Sequence, residues 1–158
     1  MIADKVRVLR PRRDPLPHEL RERMSREVAP SKVETQEMVN RIAAIMGVNP
    51  KLAMAHAYVE SGFDATLVSP CGAVGPMQVV AAAGRWAERL VGRELDLCLP
   101  ADNITAGVAI IRYLQRHTDS AREGIGAYYQ GLRSIQKVGP YPSTQKYVMR
   151  VLQAAKRF

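Results

Sequence analysis

A chain of 158 residues has room for one domain with a real hydrophobic core, and 47% hydrophobic against 24% charged residues is an ordinary globular balance. No apolar run approaches the roughly 18–20 residues of a membrane-spanning helix, and two cysteines, Cys71 and Cys98, exclude a disulfide scaffold and a cysteine-built zinc site. A net charge of +8 and a pI near 9.9 draw the protein to polyanions, and nucleic acid, acidic lipid and bacterial wall polymers all qualify.

The opening MIADKVRVLRPRRDP is basic but has no apolar h-region behind it, so it does not read as a secretory signal; a chain already trimmed of one would look the same. Residues 1–30 form a basic, proline-containing N-terminal extension with one short helix expected near His18–Val28. A flexible tail, a wall-binding arm and a packed extension all fit its composition. Residues 31–158 read as one helical domain. Ser31 and Glu34 make a capping box, and Val33, Met38, Val39, Ile42, Ile45 and Met46 follow at helical spacing until Gly47. Asn49 and Pro50 are a cap and first-turn pair that opens a helix to about Ser61, where Gly62 stops it. Residues 63–77 lack a period and hold Pro and Gly clusters, which predicts a loop or small hairpin. Helices are predicted from about Val80 to Leu90, from a cap at Asp102 through Leu114, over Ala121–Tyr129, and from Ser143 to about Lys156. Residues 131–142 read as a loop.

Glu60 is the candidate for chemistry. Its helix neighbours are mostly apolar (Leu52, Ala53, Met54, Ala55, Ala57, Tyr58, Val59), so its carboxyl group meets little water and holds its proton to higher pH. Glycosidic cleavage needs such an acid, protonated near neutral pH and aimed at the leaving oxygen. A Glu at a helix C-terminus also faces the unfavourable end of the dipole, which gives weight to a reason other than structure.

After Glu60 the chain reads Ser61-Gly62-Phe63-Asp64, then Ser69-Pro70-Cys71-Gly72-Ala73-Val74-Gly75-Pro76-Met77-Gln78-Val79. Ser69 lies nine residues after Glu60 and Gln78 eighteen after. With Asp102-Asn103-Ile104, Gly107, Ala127-Tyr128-Tyr129-Gln130-Gly131 and Tyr147-Val148, this ordered set resembles the soluble lytic transglycosylase (SLT) catalytic domain over roughly residues 38–152. The resemblance implies a mostly α, lysozyme-like (α+β) single domain whose central Gly-rich loop lines a sugar cleft. It implies Glu60 as the catalytic acid and then base. Ser69, Gln78, Tyr128, Ser61 and Gly75 are implied as the substrate-binding set, with the Tyr128 hydroxyl facing Glu60. Other readings of these residues stand beside it: a turn serine for Ser69, a core tyrosine for Tyr128, a helix-closing serine for Ser61. Val80, Ala81, Tyr129 and Pro76 depart from the usual family residues, which bears on subsite detail more than on the acid.

Ordinary lysozyme chemistry uses two carboxylates, about 5–5.5 Å or about 6.5–9.5 Å apart. Near Glu60 the sequence offers only Asp64, which reads as a turn residue after Gly62. A single carboxyl suits a substrate-assisted route, and the family resemblance implies that this route runs on peptidoglycan glycan strands and leaves 1,6-anhydromuramoyl ends, with no metal and no cofactor. The competing expectations are a hydrolytic muramidase on the same fold, a non-catalytic wall-binding protein, and, ranked lowest, a nucleic-acid binder using the nine basic and five acidic residues of positions 1–32. The protein reads as a monomer acting at the bacterial wall, outside the cytoplasm, reached by phage-type release, by virion or secretion-machine delivery, or as a trimmed secreted protein. Cys71 and Cys98 read as two free thiols, with a single bridge between them as the alternative outside the cytoplasm. His56, one turn before Glu60, could tune its pKa.

Overall fold

The computed structural model describes residues 13–158. The first twelve residues, and so most of the basic opening segment, lie outside the described residues. Local signals set most helix ends. Ser31 Oγ accepts from the Glu34 amide at 3.1 Å while Glu34 accepts from the Ser31 amide, and α2 (Lys32–Ile45) starts there. Asn49 caps α3 (Pro50–Ser61) through the Lys51 amide at 3.0 Å, and left-handed Gly62 ends it. Further helices are α1 (Pro17–Arg26), α4 (Ala81–Val91), α5 (Pro100–Arg116), α6 (Ala121–Gln130), α7 (Leu132–Val138) and α8 (Pro142–Ala155).

Three boundaries differ from the sequence expectation. α5 starts at Pro100, whose fixed φ suits a first turn. Asp102 therefore lies inside the helix, where it accepts from the Asp96 amide at 2.9 Å and from Arg93 at 3.0 Å and ties down the loop before it. α7 occupies most of the expected loop 131–142: it is seven residues long and buries only Ile135, too little for a visible period. α8 starts at Pro142 with Tyr141 as its cap, so Ser143 is already helical.

α5 is the axis of the molecule. Ile104, Ala106, Val108, Ile110, Ile111 and Leu114 are buried on several of its faces, and α2, α4 and α6 pack around it. α3 lies between α2 and α8, and its Ala53, Ala55 and Ala57, all fully buried, let those neighbours come close. A second cluster of Ile125, Tyr147, Val148 and Val151 joins α6 and α8 to Ala55. The β component is limited to two isolated antiparallel bridges among the described residues, Val68 with Val74 and Val74 with Val79. They fold the 63–80 loop into a tight double turn.

Helix α1 is docked. Leu20 and Met24 are buried against Val74 and Cys98, and Arg23 pairs with Asp96 at 2.5 Å. The described part of the N-terminal extension thus braces the back of the Gly-rich loop. Cys98 is buried in this cluster, Cys71 is exposed on the loop, and both are free thiols.

Candidate active site

The loop before α4 is held by a single side chain of α5. Asn103 is fully buried; its Oδ1 accepts from the Met77 amide at 2.9 Å, and its Nδ2 donates to Val74 O at 2.7 Å and Leu97 O at 3.0 Å. Gly75 lies against it at φ +77°, and a Cβ there would stand 2.6 Å from Asn103 Nδ2, so both backbone conformation and contact require glycine. Ser61 joins the loop to the end of α3, its hydroxyl shared between Ala57 O at 3.1 Å and Pro76 O at 2.8 Å. These contacts carry Met77 into the core and leave Gln78, at φ +50°, on the rim of a cleft.

The cleft encloses about 320 Å³, with Glu60, Gln78, Tyr128, Tyr129, Val80 and Trp86 among its lining residues. Ile110, Leu114, Ala83 and Leu132 give it an apolar wall. Gln78 Nε2 donates to Leu67 O and Gly75 O, each at 3.0 Å, which commits its nitrogen to the loop and leaves the amide oxygen for another donor.

Glu60 stands at the last turn of α3, where burial pushes its carboxyl pKa up to about 7. Two smaller influences oppose this: the hydroxyl of Tyr147 donates to Glu60 Oε2 at 2.8 Å, and Arg150, one turn further along α8, adds positive charge. Tyr147 also lies 2.9 Å from His56 Nδ1, and its ring stacks on Tyr129 at 4.9 Å. His56 is buried, and desolvation lowers its pKa to about 3, so the ring is neutral.

The six residues singled out from sequence thus divide. Glu60, Gln78 and Tyr128 line the cleft. Ser61 and Gly75 build the wall behind it. Ser69 lies in the loop turn, accepting from the Ala73 amide at 2.9 Å and 3.1 Å from Cys71 Sγ, and does not line the cleft. The Tyr128 hydroxyl donates to Met77 O at 2.8 Å, so the hydroxyl bonded to Glu60 comes from Tyr147 instead. Tyr147 and Asn103 are the residues whose roles sequence reasoning missed; both stand in the family-like pattern, but nothing local in the chain assigns them a partner. Asp64 accepts from the amide and hydroxyl of Thr66 in a turn, and among the described residues no carboxylate other than Glu60 lines the cleft.

A family model described as the transglycosylase SLT domain matches residues 37–149. Over 75 residues the chain is 41% identical to an endo-type membrane-bound lytic murein transglycosylase A of Cronobacter sakazakii, a match covering 44% of this chain and 37% of that protein. The X-ray structure of an inactive mutant of lytic transglycosylase Slt from Pseudomonas aeruginosa shares the fold, with a TM-score of 0.68 at 23% identity, over 75% of this chain and 23% of that one. The matches span well under half the length of either relative.

Proposed function

The chain belongs to the transglycosylase SLT domain family, and from that membership together with the cleft we propose that it cleaves the β-1,4 bond between N-acetylmuramic acid and N-acetylglucosamine in peptidoglycan by a non-hydrolytic, single-carboxyl mechanism. The observation that carries this reading is a cleft in which Glu60 is the one lining carboxyl among the described residues, half-buried and with its pKa raised to about 7. Such a group is protonated often enough to act as acid, and its conjugate base is strong enough to take a proton back.

In this mechanism Glu60 gives its proton to the glycosidic oxygen as the C1–O bond breaks. The 2-acetamido group of the muramoyl sugar supports the positive charge developing at C1. The Glu60 carboxylate then removes the proton of the C6 hydroxyl, whose oxygen closes onto C1. The products are a free N-acetylglucosamine 4-hydroxyl and a 1,6-anhydromuramoyl end, and Glu60 is protonated again without uptake of water. Gln78, through its free amide oxygen, and Tyr129 flank the sugar, and the apolar wall keeps the acid dry. The net charge of +8 favours approach to an anionic wall polymer, and the site of action is the cell wall, outside the cytoplasm.

Digestion of purified peptidoglycan followed by mass spectrometry tests this directly. The new muramoyl ends are expected to be lighter by one water and resistant to borohydride reduction. Reducible ends would instead assign a muramidase, and intact glycan with folded protein would assign a binding role.

The Tyr147 contact makes a second prediction. Its hydrogen bond lowers the Glu60 pKa against the effect of burial. Tyr147→Phe is therefore expected to move the alkaline limb of the pH–rate profile to higher pH and to lower kcat about 10-fold. An unchanged limb would show that this hydroxyl does not tune the acid.

A further inference from the structure

The chain of contacts His56 Nδ1 to Tyr147 hydroxyl (2.9 Å) to Glu60 Oε2 (2.8 Å) runs from a fully enclosed ring to the cleft. A tyrosine hydroxyl has one proton, and here it has two neighbours that could take it. What His56 presents at Nδ1 decides which one does. His56 Nε2 is buried and has no hydrogen-bond partner among the described residues. A buried amine-type N–H without an acceptor is rarer than a buried lone pair without a donor, so the ring carries its proton on Nδ1. The tilted ring of Tyr128, 4.7 Å away, packs on His56 and helps fix its orientation.

We propose that His56 is a positioning residue for the reaction: by donating from Nδ1 it turns the Tyr147 proton toward Glu60 Oε2, so that the acidic proton of Glu60 resides on Oε1, the oxygen left for the sugar. This rests on the reading of Glu60 as the acid. With the opposite tautomer, Tyr147 would donate to His56. Glu60 would then meet the Tyr147 oxygen only by placing its own proton on Oε2, aimed into the protein. The charged groups near this chain are Glu60 itself and Arg150 of α8. His56 stays uncharged through the working range because burial holds its pKa at about 3, so it acts by orientation and adds no charge.

The tautomer can be read on the wild-type protein, labelled with 15N at histidine, from the nitrogen chemical shifts; the signal lost in His56→Asn identifies the residue. A protonated Nδ1 and bare Nε2 from about pH 5 to about pH 8 are expected. A protonated Nε2 would overturn the proposal, whether or not the protein cleaves peptidoglycan. In turnover assays His56→Leu is expected to lower kcat about 10-fold with KM nearly unchanged. His56→Asn, whose amide N–H reaches the Nδ1 position, is expected to restore most of it. Wild-type kcat in the folded Leu variant, or equal losses in the Leu and Asn variants, would also overturn it. Absence of cleavage by the wild type would count against the function reading alone, and the tautomer would still decide the role of His56.

Discussion

Glu60→Gln is expected to reduce peptidoglycan cleavage by about 1,000-fold or more while leaving the fold intact. Acid and base steps pass through the same group, and each is worth roughly 100- to 10,000-fold when a side chain supplies it. Glutamine keeps the shape and still accepts from Tyr147, but its amide cannot give or take the reacting proton. The same substitution has an opposite effect on stability. Burial raises the Glu60 pKa from an ordinary 4.5 to about 7, so the native state holds this proton longer than the unfolded chain does. The native state is therefore least penalised below about pH 4.5, loses stability as pH rises toward about 7, and is flat above that. The difference amounts to about 3 kcal/mol at pH 8. Glu60→Gln escapes it and should melt several degrees higher than the wild type at pH 8, with little difference at pH 4. Calorimetry at both pH values, together with the pH–rate profile of the wild type, checks the assignment. Activity should fall as pH rises through about 7, because the acid form is lost. Substantial turnover by the Gln variant would remove Glu60 from the mechanism.

Asn103→Ala is expected to cost roughly 3–5 kcal/mol of stability. The substitution strands the Met77 amide and the Leu97 carbonyl, and leaves the Val74 carbonyl with only its bond from the Val79 amide; all three are partners of one fully buried side chain. Each buried group left without a partner costs about 1–3 kcal/mol, and water entering the small cavity recovers part of that. The damage is local before it is global. Met77 and Gln78 lose the anchor that sets the cleft wall, so activity should fall at temperatures where the helices are still folded. Far-ultraviolet circular dichroism and turnover, measured on the same melting ramp, would separate the two. A variant within about 1 kcal/mol of the wild type would mean that the Gly-rich loop holds its shape without this amide.

Helix starts and stops at Ser31, Asn49, Pro50 and Gly62 were legible because capping is satisfied within three or four residues of itself. The raised Glu60 pKa was legible in direction because its immediate helix neighbours are apolar. The cleft loop and its family were legible from the spacing of Ser69, Gly75 and Gln78 after Glu60, which is a one-dimensional pattern. α7 was hidden because a seven-residue helix burying one side chain has no detectable period.

The chain by itself determined a helical domain, Glu60 as the candidate acid and the Gly-rich loop that follows it, while the absence of a second cleft carboxylate among the described residues came from the fold. Only the tertiary structure decided that Tyr147, 87 residues from Glu60, holds its carboxylate, that Tyr128 turns its hydroxyl to Met77, and that Asn103 carries the loop. A hydrogen bond is fixed by distance and direction in space to within a few tenths of an ångström. The packing of α8 and α6 on α3 sets those distances, and no local pattern in the sequence encodes which of two tyrosines that packing will deliver to the acid.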